Sequence, residues 1–248
     1  MKNLEGKFCI VTGAGKGIGK AIAKRFLDEQ AAGVAILEWN LELAEATAKE
    51  LDPTGEKVIA VQCNVADSQQ VKEAIDQTVA AFGRIDVLVN NAGITRDRIF
   101  HKMTDDEWHA VIDVNLNGVY NTCKYVVPMM RNQESGSIIN LSSTSLMGNP
   151  GQANYAATKA ALQGFTRTVA KELARKNVRM NCVAPAYVDT EMMRAIGEEL
   201  LTQALSNTPA QRMCAPEEIA SVVAFLATED ASWVTGQTIY ASGGSICM

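Results

Sequence analysis

The sequence predicts an α/β fold in one domain, with a doubly wound parallel sheet covered by helices on both faces. Two observations lead to it: short apolar, β-branched runs alternate with amphipathic stretches, and no Pro- or Gly-rich linker divides the 248 residues. Parallel strands need helical crossovers, so such a sheet is buried on both faces and its strands are apolar throughout. A chain of this length can bury one large core, so residues 1–248 are expected to form a single domain.

The elements follow in order along the chain. The predicted strands are FCIV (8–11), VAIL (34–37), VIAVQ (58–62), IDVLV (85–89), SIINL (137–141), RMNCV (179–183) and TIYA (238–241). The predicted helices are 18–30, 41–51, 68–82, 105–130, 156–175 and 216–228. The stretch 187–213 interrupts this alternation, and long loops of this kind often close over a substrate, so it is expected to be a substrate lid.

Composition excludes several classes of function. The formal net charge of −5 argues against a nucleic-acid partner, which would require a basic face. The first ten residues include Glu5 and only a short apolar stretch, and no later run approaches the ~20 apolar residues of a membrane span. A cytoplasmic location is therefore expected. Six scattered cysteines without a Cys-x-x-Cys pair, and two histidines, predict neither a metal site nor a disulfide framework.

The loop TGAGKGIG (12–19) follows the first predicted strand and opens the first helix. Its glycines do not form Gly-x-Gly-x-x-Gly but Gly13-x-x-x-Gly17-x-Gly19. A glycine turn that opens a helix presents free backbone N–H groups and the positive end of the helix dipole, which suits a pyrophosphate. The position of the loop therefore favours a Rossmann-like dinucleotide site over a plain turn.

Two charged residues give opposite indications about the cofactor. Glu38 ends the second strand, where a carboxylate can accept both hydrogen bonds of an adenosine ribose diol and would repel a 2′-phosphate. Lys16 in the glycine loop could instead pair with such a phosphate. Because close repulsion is hard to avoid while a long lysine can swing into solvent, NAD(H) is favoured, and NADP(H) stays open.

The segment SSTSLMGNPGQANYAATK (142–159) contains residues suited to proton transfer. Tyr155 and Lys159 are four positions apart on a helix, so they lie on one face. An ammonium beside a phenol is expected to lower a tyrosine pKa that is ~10 when unperturbed, which would make Tyr155 an acid or base near neutrality. Ser142 follows the fifth strand, at the edge of the sheet where ligands bind.

These motifs together resemble the short-chain dehydrogenase/reductase family. The resemblance extends over essentially the whole chain and rests on TGAGKGIG, NNAG (90–93), NLNG around Asn115, Ser142, YAATK and APAYVDT. It implies that Tyr155 exchanges a proton, that Lys159 holds the nicotinamide ribose and lowers the tyrosine pKa, and that Ser142 bonds the substrate oxygen. Asn115 would hold a water of the proton relay. The cofactor residues it implies are Gly13, Gly17, Ile18, Gly19, Asn64, Val65, Asn90, Ala92, Gly93, Pro185, Val188 and Thr190.

Longer stretches resemble one branch of that family, the β-ketoacyl thioester reductases, including acetoacetyl-CoA reductases. They are NNAGITRDRIFHKMTDDEW (90–108), GNPGQANYAATKAAL (148–162) and PEEIASVVAFLATEDASWVTGQ (216–237). The implied reaction reduces a 3-oxoacyl thioester, carried on acyl carrier protein or coenzyme A, to its 3-hydroxyacyl form. Gln152 and Tyr187 would border the acyl pocket, and Lys102 would contact a phosphate of the carrier.

Two other functions remain open at this stage. Glu38 is less expected in a biosynthetic ketoacyl reductase, many of which use NADPH, so an NAD-linked secondary alcohol dehydrogenase acting on hydroxysteroids or bile acids is the alternative. A non-catalytic dinucleotide sensor on the same fold is the third reading, against which the intact set Asn115, Ser142, Tyr155 and Lys159 argues.

The family usually forms tetramers through the helix that follows Tyr155 and the long helix before it. In this chain that helix combines small residues such as Ala157 and Gly164 with Phe165 and Val169, so a second helix could approach closely. A homotetramer is therefore expected.

Overall fold

The computed structural model describes residues 4–194, 197, 201–202, 205–206 and 208–247. Seven parallel strands form one sheet in the order β3-β2-β1-β4-β5-β6-β7, which confirms the predicted doubly wound sheet. The strands are β1 (Phe8–Thr12), β2 (Gly33–Glu38), β3 (Val58–Gln62), β4 (Val87–Asn90), β5 (Gly136–Leu141), β6 (Val178–Pro185) and β7 (Thr238–Ala241).

The helices flank the sheet. They are α1 (Gly17–Asp28), α2 (Leu41–Leu51), α3 (Ser68–Phe82), α4 (Asp105–Ile112), α5 (Gly118–Gln133), α6 (Ala153–Leu173), α7 (Glu191–Arg194) and α8 (Pro216–Ala227). The prediction of one helix over 105–130 was wrong in one respect: a π-helical turn at Asp113–Asn117 separates α4 from α5. The extra residue in that turn leaves the apolar pattern nearly unchanged, so periodicity alone does not reveal it.

Both faces of the sheet are buried, as successive strand residues show. Val11 and Ile36 pack with helices α1, α2 and α8 on one face, whereas Ile10 and Leu37 pack with α3, α5 and α6 on the other. All four side chains are fully buried. Successive strand residues point to opposite faces, so a run without polar positions is what a sheet covered on both sides requires.

The strand order reverses between β1 and β4, which are direct neighbours with Val11 beside Val89. The loops after these two strands leave the sheet on opposite sides of the reversal, and the crevice between them is where open α/β sheets bind ligands. The loops are the glycine-rich segment after Thr12 and the NNAG segment that begins at Asn90. Part of the expected lid 187–213 lies outside the described residues: 195–196, 198–200, 203–204 and 207.

Candidate active site

The glycine loop leaves bare backbone at the crevice. A Cβ on Gly13, whose φ is +62°, would lie 2.8 Å from the Cα of Ala92, and a Cβ on Gly19 would lie 2.4 Å from the carbonyl oxygen of Gly13. Lys16 precedes α1 without a side-chain cap on the first turn of that helix. Gly13 and Gly19 therefore leave no room for a side chain, while the N–H groups around Gly17 and Ile18 keep the hydrogen-bonding capacity that a pyrophosphate requires.

Two residues that the sequence analysis missed hold this loop against NNAG. The Asn91 side chain donates to the carbonyl oxygens of Thr12 (2.9 Å) and Gly13 (3.0 Å). The Thr12 hydroxyl oxygen accepts from the backbone N–H groups of Asn91 and Ala92, both at 3.0 Å. In the sequence, Thr12 stands at the end of the first strand and Asn91 directly after the fourth. Their contact could not be predicted from this, because only the pairing of β1 with β4 brings them together.

Glu38 lies at the end of β2, beside the glycine loop. Its carboxylate accepts hydrogen bonds from the backbone N–H groups of Gly15 (3.2 Å) and Trp39 (2.9 Å). Lys16 extends elsewhere, since its Nζ lies 2.5 Å from the Glu191 carboxylate at the start of α7. The structure thus places an acid where the ribose was expected and directs the Lys16 side chain toward α7.

Two of the implied cofactor residues, Asn64 and Val65, follow β3. The backbone N–H of Cys63 donates to the carbonyl of Glu38 at 2.8 Å. Asn64 and Val65 therefore begin close to the end of β2, where Glu38 lies. The Asn64 side chain accepts from the Ala66 N–H at 3.1 Å, and Val65 is buried with its carbonyl bonded to the Asn121 amide.

Asn90 supports the crevice from below. Its buried amide donates to the Asn140 side chain at 2.8 Å and accepts from the Thr122 hydroxyl at 2.6 Å. The side-chain hydrogen bonds of Asn90 therefore join β4 to β5 and α5, and its contact with a cofactor stays a prediction. A sequence motif gives a residue's place on the strand but not the face it uses.

Asn115 lies in the π-helical turn and is fully buried. Its side chain accepts from the Ile94 N–H and donates to the Ile94 carbonyl, both at 2.9 Å. A Cβ built on Gly93 would lie 3.4 Å from the Asn115 Oδ1 and 3.6 Å from the Lys159 Nζ. The missing side chain at Gly93 therefore leaves a small space that two polar groups face together, and π-helical turns often occur at functional sites.

Lys159 is buried on α6, and its ammonium donates to the Leu141 carbonyl at 2.7 Å. Burial lowers the pKa of Lys159 to about 8, because the charged form loses its hydration. The Nζ lies 5.4 Å from the centroid of the Tyr155 ring, within the range of a cation–π contact. The predicted Tyr155–Lys159 pair is thus present on one face of the helix.

The predicted direction of the tyrosine shift was wrong for this structure. Burial raises the pKa of Tyr155, and a hydrogen bond with the Ser143 hydroxyl opposes that rise only in part. Ser142, expected to face the substrate, donates instead to the Lys159 carbonyl at 2.8 Å. Spacing along a helix predicts which residues are neighbours, but the pKa also depends on how far water is excluded from the phenol.

The expected substrate residues lie in three different places. Gln152 donates to the Asp97 carboxylate at 2.9 Å, and Tyr187 lines a cavity of about 310 Å³ together with Tyr240, Ile219 and Val222. Lys102 ends an exposed helical turn (Phe100–Lys102). Lys102 is thus on the surface, whereas Tyr187 lines a partly open cavity that does not include the four proposed catalytic residues.

The segment after β6 lies against the glycine loop. Pro185 ends β6, Val188 is buried beside Cys214, and the Thr190 methyl group is 3.6 Å from where a Cβ of Gly17 would be. Thr190 therefore lies beside the glycine loop, and the cofactor contacts of Pro185, Val188 and Thr190 stay predictions.

Neither a metal centre nor a membrane span is found in the described part of the chain. No group of three or more His, Cys, Asp or Glu side chains there could hold a metal ion. Among the same residues no helix is long and apolar enough to cross a bilayer.

Comparison with known proteins extends over almost the whole chain. A family model described as "Enoyl-(Acyl carrier protein) reductase" matches residues 13–245. The 3-oxoacyl-(acyl-carrier-protein) reductase of Thermotoga maritima is 48% identical over 246 residues, covering 98% of this chain and 99% of that protein. The protein of the same name from Staphylococcus epidermidis is 46% identical over 240 residues, covering 96% and 98%. The crystal structure of a levodione reductase matches with a TM-score of 0.92 at 32% identity, covering 97% of this chain and 98% of that one.

Proposed function

Because this chain belongs to the short-chain dehydrogenase/reductase family, we propose that it reduces the 3-oxo group of an acyl thioester to the 3-hydroxyacyl form. The family resemblance expected from the motifs is confirmed, and with it an oxidoreductase that uses a nicotinamide dinucleotide. The substrate class is supported by relatives named 3-oxoacyl-(acyl-carrier-protein) reductase that match nearly the full length. The observation that carries the chemistry is the convergence of Tyr155, Lys159 and Asn115 at one end of the crevice.

The crevice fits a dinucleotide, since a loop with no room for a side chain at Gly13 or Gly19 meets the uncapped first turn of α1. When bound, this cofactor supplies the hydride. Tyr155 keeps its proton at neutral pH because burial raises its pKa, so its phenol is suited to protonate the substrate oxygen. Lys159, as an ammonium near that ring, stabilises the phenolate that remains, and Asn115 holds the backbone of Ile94 beside it.

We propose that Ser142 and Ser143 share the substrate oxygen. The two hydroxyls follow β5 directly, and the Ser143 hydroxyl is close enough to Tyr155 to oppose the rise of its pKa. Ser142 can serve the substrate after its hydroxyl turns away from the Lys159 carbonyl, which is a rotation about a single side-chain bond.

NADH is the proposed cofactor, because Glu38 occupies the position beside the ribose and Lys16 is paired with Glu191. A 2′-phosphate would meet the Glu38 carboxylate without a cation already directed to it. The pair Lys16–Glu191 is exposed and contributes little to stability, so the carboxylate is the main determinant.

Replacing Glu38 with serine is expected to lower kcat/KM for NADH about tenfold and to raise it for NADPH by about the same factor. A hydrogen bond to a charged group contributes about 1.5–3 kcal/mol, and about 1.4 kcal/mol corresponds to a factor of ten. Initial rates with both cofactors on the same preparation measure the change. Glu42→Ser, which removes an exposed acid from the first turn of α2, is the matched control. A wild-type preference for NADPH contradicts the role of Glu38. So does the same ratio of kcat/KM for NADH to kcat/KM for NADPH in Glu38→Ser and Glu42→Ser.

An NAD-linked secondary alcohol dehydrogenase is the second candidate function. It is favoured by the name of one structural relative rather than by the cavity beside Tyr187, which none of Asn115, Ser142, Tyr155 and Lys159 lines. The structural relative named levodione reductase acts, by that name, on a ketone that is not a thioester. Side-by-side rates with acetoacetyl-CoA and a 3-ketosteroid distinguish the two, since a preference for the steroid would overturn the thioester proposal.

We propose that the chain forms a homotetramer and, as the sequence suggests, acts in the cytoplasm. On α6 the small residues Ala157 and Gly164 are exposed, and no atom lies within 4 Å of a Cβ built on Gly164. A second helix could therefore approach this surface closely. Size-exclusion chromatography with light scattering is expected to give four times the mass of one chain, and a monomer would contradict the proposal.

A further inference from the structure

Asn154, the residue immediately before Tyr155, is fully buried in the first turn of α6. Its side-chain NH₂ donates to two backbone carbonyls, that of Arg96 at 3.1 Å and that of Glu107 at 3.0 Å. Its side-chain oxygen accepts from the backbone N–H of Tyr155 at 2.7 Å. One amide therefore connects three segments of the chain: the loop after β4, helix α4 and the start of α6.

The two acceptor segments are themselves held in place. Glu107 and Thr104 form a reciprocal capping box at the start of α4, and the Arg98 guanidinium donates to the Glu107 carboxylate at 3.0 and 3.1 Å. The backbone N–H of Arg98 also donates to the Gly151 carbonyl at 2.8 Å. The loop after β4 is thus hydrogen-bonded to the residues just before α6. Among these contacts, the Asn154 side chain is the group that bonds both that loop and the backbone N–H of Tyr155.

The chemistry of these contacts selects an amide. A carboxylate of the same shape would place a charge against two carbonyl oxygens, and a hydroxyl offers one donor where two are used. An apolar side chain would leave the Arg96 and Glu107 carbonyls without these donors. Asparagine is the side chain of this size that supplies two donors and one acceptor together.

We propose that Asn154 is a positioning residue for proton transfer: it holds the phenol of Tyr155 in register with Lys159 and Asn115 by fixing the first turn of α6 to the loop after β4. The inference rests on the proposed function in so far as Tyr155 is the proton donor. In this proposal the loop after β4 supports the start of α6. A second contact acts in the same way, because Asp97 in that loop accepts a hydrogen bond from Gln152 just before α6. The Asp97 charge contributes to the raised pKa of Tyr155, as expected if the loop lies close to the phenol.

The test compares two buried asparagines. Asn181 is also fully buried and also joins backbone groups of other segments, donating to the Val234 carbonyl at 2.8 Å and accepting from the Gln237 N–H at 3.0 Å, but it does not touch Tyr155. Asn154→Ala and Asn181→Ala should both lower the melting temperature. Misplacement of a reacting group by about 1 Å can cost a factor of about 10², so Asn154→Ala is expected to lower kcat about 100-fold, whereas Asn181→Ala should keep kcat within about twofold.

The pH profile separates positioning from simple destabilisation. For Asn154→Ala we expect the rise of kcat with pH, measured in the oxidative direction with 3-hydroxybutyryl-CoA and NAD, to shift by about half a pH unit or more, because the surroundings of the Tyr155 phenol change. The profile of Asn181→Ala should coincide with that of the wild type. Equal kcat and coincident profiles for both variants would overturn the inference. If Asn154→Ala does not fold, Asn154→Ser replaces it under the same criteria.

Failure of the proposed function is visible separately. If the wild type does not act on the thioester, the thioester assignment fails, and the two variants are then compared on a secondary alcohol with NAD. Tyr155 would serve as the proton-transferring group there too, so the same difference between the variants is expected, and its absence overturns the role of Asn154.

Discussion

Replacement of Tyr155 by phenylalanine is expected to lower kcat by about a thousandfold or more, because it removes the phenol proton that the proposed mechanism transfers to the substrate oxygen. General acid catalysis of this kind contributes about 10² to 10⁴ in rate. The ring remains, so packing and the Lys159 contact at 5.4 Å from the centroid are retained. NADH affinity should therefore stay within about threefold of the wild-type value.

Steady-state rates and NADH fluorescence titration of the same preparations measure both effects. Tyr125→Phe is the matched control, since it also removes one tyrosine hydroxyl, here bonded to Ser68 at 3.0 Å on the α3 side of α5. Its kcat should stay within about twofold. Turnover by Tyr155→Phe at the wild-type rate would exclude Tyr155 as proton donor, and loss of NADH binding would mean that the substitution acts through the cofactor site.

Replacement of Lys159 by methionine is expected to lower kcat by about 10² to 10³. Methionine fills much of the same buried volume but removes the ammonium beside the Tyr155 ring and the hydrogen bond to the Leu141 carbonyl. The phenolate left after proton transfer would then lose its nearby positive charge. Lys171→Met, on the exposed face of the same helix, is the control and should leave kcat unchanged.

The same lysine sets the direction of the pH dependence. Burial lowers the pKa of Lys159 to about 8, so the ammonium is present below that pH and is lost as the pH rises through it. Because kcat/KM reports groups of the free enzyme, kcat/KM for reduction should fall above about pH 8. In Lys159→Arg the guanidinium stays charged, so this fall should disappear even if the rate is lower. A wild-type profile that stays flat well above pH 8 would contradict this assignment.

Much of the fold could be predicted from the sequence because a parallel sheet imposes a simple pattern. A strand such as β1, which contains Ile10 and Val11, must be apolar on both faces. The glycine loop after β1 marks the place where the strand order reverses. The π-helical turn around Asn115 could not be predicted in this way, since one inserted residue scarcely changes the apolar periodicity. Strand and helix ends also differ by a few residues, as for α6, which begins at Ala153 rather than at 156.

The candidate site was only partly predictable. Spacing alone indicated that Tyr155 and Lys159 are neighbours, but the raised pKa of Tyr155 depends on burial by segments distant in sequence. The partners of Asn91 and Asn154 are backbone carbonyls, which carry no signature in the amino-acid pattern. Such contacts are found only when the fold has brought the loop after β4 to the start of α6.

The most direct test of the central proposal is to incubate the purified protein with acetoacetyl-CoA and NADH and to identify the acyl product by mass spectrometry while NADH oxidation is followed. We expect 3-hydroxybutyryl-CoA, heavier than the substrate by two hydrogen atoms, with one molecule formed for each NADH consumed. Unchanged acetoacetyl-CoA with either NADH or NADPH, in a preparation that reduces another ketone, would contradict the assignment to 3-oxoacyl thioesters.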